Sequence, residues 1–170
     1  MTIELRRAHS DDADFLLELI TDEDTRPFLG GRVGDTREDV VAEIERSERE
    51  PDAFGWFVVE VDGERVGCVA FHRSNERHRI AEAGRFAIHP SVRGRGVGIA
   101  AARAFQRYLL VDLGFHRVEL QIYGFNERAL AHAERCGYVR EGVKRRAYLR
   151  DGEWQDAVVF SLLQDELPDE

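Results

Sequence analysis

The 170-residue sequence predicts an α/β (α+β) fold: one mixed, mostly antiparallel central sheet of about seven strands with helices on both faces. Three observations carry this. Two Asp-Gly pairs, Asp62-Gly63 and Asp151-Gly152, each lie between runs of β-type residues, a strong hairpin signal because both turn positions favour positive φ. The hydrophobic period switches along the chain between about 3.6 and 2, giving the order β-α-α-β-β-β-loop-α-β-α-β-β. With 43% hydrophobic and 34% charged residues, no repeat and no linker, residues 1–170 read as a single domain with a real core.

Taken in order, Ile3 to Ala8 is a short strand, and Ser10 offers an N-cap to a helix with Phe15, Leu16, Leu19 and Ile20 at helical spacing. Pro27 to Gly34 breaks the pattern. A second helix, with Val40, Val41 and Ile44 inward and a Glu/Arg-rich outer face, runs to about Glu50 before Pro51. Phe57 to Val61 and Arg65 to Phe71 flank the first Asp-Gly turn, and Ile80 to His89 is a further extended run, so the central block is antiparallel. After Pro90 comes a glycine-arginine loop, then Ala101, Phe105, Leu109 and Leu113 form a helix stripe that Gly114 ends. Val118 to Tyr123 is the next strand. Asn126 caps a helix through Arg135, which Gly137 stops. Tyr138 to Leu149 and Trp154 to Leu163 close as the second hairpin, and the acidic tail Asp165 to Glu170 reads as a solvated end.

Composition excludes several classes. Thirty-three acids against 24 bases leave a formal net charge of −9, whereas duplex binding needs a basic face, so no nucleic acid is expected. Cys68 and Cys136 are too few for a disulfide scaffold and, like the six histidines, show no ligand spacing, so no metal is assigned and a reducing cytoplasm fits. His72, His78 and His89 read as exposed loop or strand-end residues. No stretch approaches the roughly 18 apolar residues of a membrane span, and none has the form of a signal peptide, so no membrane is expected.

The loop Arg93-Gly94-Arg95-Gly96-Val97-Gly98 carries the functional signal. Alternating glycines let backbone N–H groups converge on one object, the following helix start adds its positive dipole end, and Arg93 and Arg95 add charge, which together suit a pyrophosphate. A nucleoside-triphosphate loop would need Gly-Lys-Ser/Thr, but Gly98 is followed by Ile99-Ala100. Gly96-Val97-Gly98-Ile99-Ala100-Ala101 does satisfy the dinucleotide spacing, with Glu119 about 20 residues on. Its context argues against NAD, because that fingerprint follows a strand inside repeated parallel βαβ units.

These residues resemble the GNAT superfamily of acyl-CoA-dependent N-acetyltransferases. The family's pyrophosphate motif, Gln/Arg-x-x-Gly-x-Gly/Ala, is matched by Arg93, Gly96 and Gly98, after a strand that ends near Pro90. Asn126-Glu127-Arg128-Ala129 followed by Cys136-Gly137-Tyr138 is similar to the family's Asn-x-x-Ala segment ending in Gly-Phe/Tyr. The last stretch, from Glu141-Gly142 to Leu162-Leu163, resembles the branch of ribosomal-protein N-terminal acetyltransferases. The resemblance implies a GNAT-like sheet whose strands splay, with acetyl-CoA as co-substrate between Phe86-Ala87-Ile88 and Val118 to Tyr123.

The implied activity is acetyl transfer to a primary amine, either a small molecule such as a polyamine or a protein N-terminus, in a ternary complex. A homodimer is the implied assembly. Binding of acetyl-CoA falls to Phe86, Ala87, Ile88, Arg93, Gly94, Arg95, Gly96, Val97, Gly98 and Asn126. Glu82, at the start of that strand, is the candidate base, acting through water, because an α-amine of pKa about 8 must lose a proton. Asn126, at a strand-to-helix turn, is the second candidate catalytic residue. Many family members place a Tyr seven residues after that Asn to protonate the leaving thiolate, but here Ala133 stands there, preceded by His132. Tyr123, Tyr138 or water would then replace it. The departure also supports a rival reading, a catalytically silent acyl-CoA-binding sensor or interaction domain. The acceptor pocket is expected around Pro27-Phe28-Leu29-Gly30-Gly31 and near Tyr148 and Asp151.

Overall fold

The computed structural model describes residues 1–29 and 36–168. Its strands are β1 (Ile3–Arg7), β2 (Phe54–Val61), β3 (Glu64–Asn75), β4 (Ile80–Ile88), β5 (Arg117–Tyr123), β6 (Val139–Arg150) and β7 (Glu153–Leu163). The helices are α1 (Ala13–Thr21), α2 (Arg37–Arg49), α3 (Val97–Arg107) and α4 (Glu127–Arg135). The strands form one seven-stranded sheet in the order β1-β2-β3-β4-β5-β7-β6. All neighbours are antiparallel except β4 and β5, so the mixed, mostly antiparallel sheet expected from the sequence is present. Both Asp-Gly turns take the positive φ that a tight hairpin needs: 51° and 85° at Asp62 and Gly63, 49° and 79° at Asp151 and Gly152.

Strand alternation sorts the core onto two faces. On one, Trp56, Val58, Cys68, Ala70 and Ala87 pack against Leu16, Leu19, Val40 and Ile44 of α1 and α2. On the other, Phe57, Val69, Phe71, Val118 and Phe160 pack against Phe105, Leu109, Leu110 and Ala133, from α3, the turn that follows it, and α4. Helices therefore cover both faces.

Three local expectations change. Ser10 is not the cap of α1: Ser10–Asp12 forms a 3-10 turn closed by the Asp12 carboxylate, which accepts from the His9 amide (2.8 Å) and from Arg6 (2.7 and 2.9 Å). The stripe after Phe105 slips, because a π-helical turn at Tyr108–Asp112 buries both Leu109 and Leu110 and leaves Leu113 partly exposed. The tail is not simply solvated: Gln164 Nε2 donates to the Leu110 carbonyl (2.6 Å) and Leu167 packs against the core. Among the described residues no helix is long and apolar enough to cross a membrane.

Candidate active site

β4 and β5 pair only from Ile80 with Arg117 to Ala83 with Leu120. Beyond that point β4 stays with β3, through Ala87 with Cys68 and Ile88 with Gly67, while β5 stays with β7 as far as Tyr123 with Ala157. The strands part and leave a cleft of about 790 Å³. A bulge accompanies the parting. Arg85 and Phe86 together oppose the single residue Val69, and Arg85 takes φ 50°. Arg85 is held there by an ion pair with Glu43 of α2, by stacking over Trp56 (4.8 Å), and by its carbonyl, which accepts from Cys68 Sγ (3.2 Å). Phe86 and Ile88 both turn toward Gly98 across the cleft. Because the His89 amide bonds to Val66 on β3 (2.7 Å), alternation turns the Ile88 peptide to the open side, where its carbonyl accepts from Arg93 Nε (2.9 Å).

The glycine-arginine loop closes one end of this cleft. Gly94 and Gly96 take φ 77° and 79°, conformations that a side chain would strain. The first bond of α3 runs from the Ala100 amide to the Gly96 carbonyl (3.1 Å), which leaves the Val97, Gly98 and Ile99 amides at the open helix end. A Cβ built on Gly96 meets no atom within 4 Å, so there is room for a ligand against the backbone. Arg93, Gly94, Gly96 and Gly98 line the cleft together with Phe86, Ala87 and Ile88. Arg95 does not line it. It lies between two left-handed glycines and is exposed. Val97 offers only its amide, since its side chain is buried with Val59, Val66 and Ile88. Burial, and then repulsion from Arg128, hold the Arg93 guanidinium below its ordinary range.

Glu82 lies on β4 just before the parting, half-buried, between His72 on β3 and Glu119 on β5. His72 is thus a mid-strand residue, not a strand end, with Nε2 4.0 Å from Glu82 Oε2. Gln121 Nε2 donates to the same oxygen (3.3 Å), and the Tyr148 hydroxyl donates to Gln121 Oε1 (2.7 Å). Burial, and then the nearby Glu82 and Tyr123, push the Tyr148 phenol up, so it stays protonated. Asn126 caps α4, its Oδ1 accepting from the Ala129 amide (3.2 Å), and it is buried in the cleft wall, so capping and lining coexist. Among the described residues no cluster of three or more His, Cys, Asp or Glu side chains is arranged to hold a metal.

An acetyltransferase (GNAT) domain model matches residues 2–139. The chain belongs to the GNAT acetyltransferase family. The spermidine N(1)-acetyltransferase of Escherichia coli (strain K12) is 30% identical over 108 residues, 64% of this chain and 58% of that protein. A putative ribosomal N-acetyltransferase, YdaF of Bacillus subtilis (strain 168), is 32% identical over 105 residues, covering 62% and 57%. The match thus spans less than two thirds of these curated relatives. In fold, this GNAT chain is similar to the Vibrio cholerae spermidine N-acetyltransferase in complex with CoA and spermine, with a TM-score of 0.86 at 23% identity and 97% of both chains covered. The ribosomal-protein-S5-alanine acetyltransferase of Vibrio fischeri gives 0.83 at 18%, covering 99% and 97%.

Within this GNAT cleft, Ala133 is fully buried against the core. Its neighbour His132 stacks on Phe86 (5.1 Å) and lies 3.6 Å from Cys136 Sγ, in a wall that no local motif of the chain marks. Tyr138 is a core residue whose phenol burial pushes up. Tyr123 lies at the far end of β5, edge-on to Tyr148 (5.5 Å). On the acceptor side, Phe28, Leu29 and Tyr148 line the cleft; Gly30 and Gly31 lie outside the described residues. Asp151 does not line it, because the hairpin turn points it into solvent at 90% exposure. Arg150 of the same hairpin instead anchors the Arg26–Leu29 segment of the cleft wall, donating to the Arg26 (3.1 Å) and Leu29 (3.4 Å) carbonyls.

Proposed function

We propose that this chain is an acetyl-CoA-dependent N-acetyltransferase that transfers an acetyl group to a primary amine by direct attack in a ternary complex. The observation that carries the reading is the parting of β4 from β5 beside the open end of α3. An unpaired strand edge at Phe86 to Ile88 suits the pantetheine amides, which would add to it as a strand does. The Gly96, Val97 and Gly98 amides with Arg93 suit the pyrophosphate, Gly94 gives the loop its turn, and exposed Arg95 adds charge at the rim. Asn126 fixes the start of α4 in the opposite wall. Acetyl-CoA would supply an activated thioester. Glu82 takes the amine's proton through water, the nitrogen bonds to the carbonyl carbon, and the C–S bond breaks. A thiol of pKa about 8.5 leaves readily enough for water to return the proton.

For the acceptor, the spermidine acetyltransferases among the relatives support a polyamine, and the ribosomal ones support a protein N-terminus. The reaction fits a reducing cytoplasm, where the buried free thiols Cys68 and Cys136 persist. A homodimer belongs to the same reading, since β6 ends the sheet and its outer edge is open to a second copy. Buried Ala133 favours the rival, a silent acyl-CoA binder. The test is release of free CoA from acetyl-CoA with α-amines, spermidine, spermine and lysine peptides, read with product mass. One acetylated amine is expected; tight acetyl-CoA binding with no CoA released for any amine selects the silent binder.

A further inference from the structure

Gln121 is the first β5 residue beyond the last β4–β5 pair, and its amide reaches across the opening. Nε2 donates to Glu82 Oε2 on β4 (3.3 Å), while Oε1 accepts from the Tyr148 hydroxyl (2.7 Å) and from Lys144 Nζ (3.2 Å), both on β6. Chemistry fixes which way the amide points. An ammonium only donates and an ionised carboxylate only accepts, so the oxygen must face Lys144 and the nitrogen Glu82. Lys144 is the one lysine in the sequence. It therefore acts here as a marker of the amide's direction as well as a charge.

We propose that Gln121 is a positioning residue for the transfer: it orients the Glu82 carboxylate at the mouth of the parted strands and ties the Tyr148 hydroxyl, as a donor, to the same network. The assignment rests on Glu82 being the base. A hydrogen bond donated to a carboxylate favours its charged form, and the other groups around Glu82 leave that contact distinctive. His72 on β3 is 4.0 Å away, Glu119 on β5 is engaged by Arg117 Nε (2.7 Å), and the Tyr148 hydroxyl on β6 donates to Gln121, with Glu82 near enough to act on it electrostatically. Sequence position hides this arrangement, since Glu82 and Gln121 are 39 residues apart and Tyr148 is a further 27 along.

Gln121→Leu removes all three bonds without adding a charge and so tests the contact. Gln121→Glu keeps the shape and the two contacts to Oε1, but turns the donor toward Glu82 into an acceptor that carries a negative charge, so repulsion adds to the lost bond. The Glu82 carboxyl is followed by 13C NMR titration without acetyl-CoA, its resonance assigned by its loss in Glu82→Gln, alongside kcat/KM against pH with one acceptor amine and thermal unfolding. The expected result is a Glu82 midpoint raised by about one pH unit or more in Gln121→Glu and by less in Gln121→Leu. The acid limb of kcat/KM moves with it, while KM for acetyl-CoA and the unfolding temperature of Gln121→Glu stay near the parent's. A Glu82 midpoint and acid limb unchanged in Gln121→Leu overturn the role of Gln121 and leave the base assignment standing. Full turnover in Glu82→Gln overturns the base assignment itself, and the positioning role with it.

Discussion

Ala83 and Leu120 are the last residues paired across the parallel contact of the sheet, and the residues proposed for the transfer gather around that point. Glu82 precedes it on one strand, Gln121 follows it on the other, and the glycine loop and the start of α3 close the gap beyond. A parallel pair that opens after four registered residue pairs exposes strand edges on both sides, an arrangement that closed sheets avoid unless an edge is to be used.

The ligand that fills this gap should stabilise the fold. Acetyl-CoA at one hundred times its Kd is expected to contribute about 2.7 kcal/mol and to raise the unfolding temperature by several degrees. NAD should have no such effect: Gly96 to Ala101 does lie in a parallel β4-α3-β5 unit, but that unit is not repeated, since the other described strand pairs are antiparallel, and the Pro90 turn separates strand from loop. Differential scanning fluorimetry with both ligands decides it, and stabilisation by NAD alone would sink the acetyl-CoA assignment.

How much of this was legible in the sequence follows the range of the interactions. Both hairpins, the cap at Asn126 and the glycine loop are local, so the residues that make them are neighbours in the chain and their types announce them. The parting of the strands is not local. It accompanies a bulge at Arg85, a residue with no intrinsic liking for φ 50°, kept there by Glu43, Trp56 and Cys68 from three separate elements. His132 was hidden for the same reason: its partner Phe86 lies on a distant strand, and only the fold stacks them. Glu82 could be chosen from its place at the start of the strand, but nothing nearby in the chain marks Gln121 or Tyr148 as its companions.

Acid stability should depend on a pair far from the cleft. Burial opposes ionisation of Asp12, but hydrogen bonds from Arg6, the His9 amide and Arg65 outweigh it and hold the carboxyl down to about 2 from its ordinary 3.8. A depressed carboxylate contributes stability that is present above pH 3.8 and is lost as pH falls through about 2. The contribution is roughly 2 kcal/mol at neutral pH. Asp12→Asn should therefore be destabilised by about that amount at pH 7, with the difference from the parent shrinking between pH 4 and 2. Chemical denaturation along a pH series measures it; a constant difference down to pH 2 would remove the ion pair as the cause.

His132 should titrate at lower pH than an exposed imidazole. Burial, and then repulsion from Arg135, hold it below its ordinary 6.5. It is therefore neutral in the folded protein at pH 7, and burial keeps the Cys136 thiol protonated and able to donate to Nε2. Because the unfolded chain takes up the proton first, stability contributed by neutral His132 is complete above pH 6.5 and declines as pH falls below it. His132→Gln should flatten that part of the stability profile. Proton NMR of the imidazole gives the midpoint directly, and a value above 6.5 would contradict the buried, stacked placement.

The sharpest prediction concerns Gly96, where two effects of one substitution can be separated. Its φ of 79° makes any side chain costly, by about 1–2 kcal/mol, whatever surrounds it. A Cβ there meets no protein atom within 4 Å, so in the free protein the cost is backbone strain alone and cooperative unfolding should persist. When the cleft is filled, the same methyl groups occupy the space beside the open amides of α3, and binding should suffer beyond the strain. Gly96→Val is expected to weaken acetyl-CoA binding at least tenfold, about 1.4 kcal/mol. Gly152→Ala is the control for strain: it has the same φ, 79°, and the same open surroundings, but sits in the distant hairpin turn, so it should lose stability and keep its affinity. Arg95→Ala removes one exposed charge and should cost less than Gly96→Val, with a loss that shrinks as salt is raised. Calorimetric titration of the three variants, beside their unfolding curves, separates strain, steric exclusion and charge. Parental affinity in Gly96→Val would mean that no ligand approaches the backbone there, and the pyrophosphate would have to be held elsewhere.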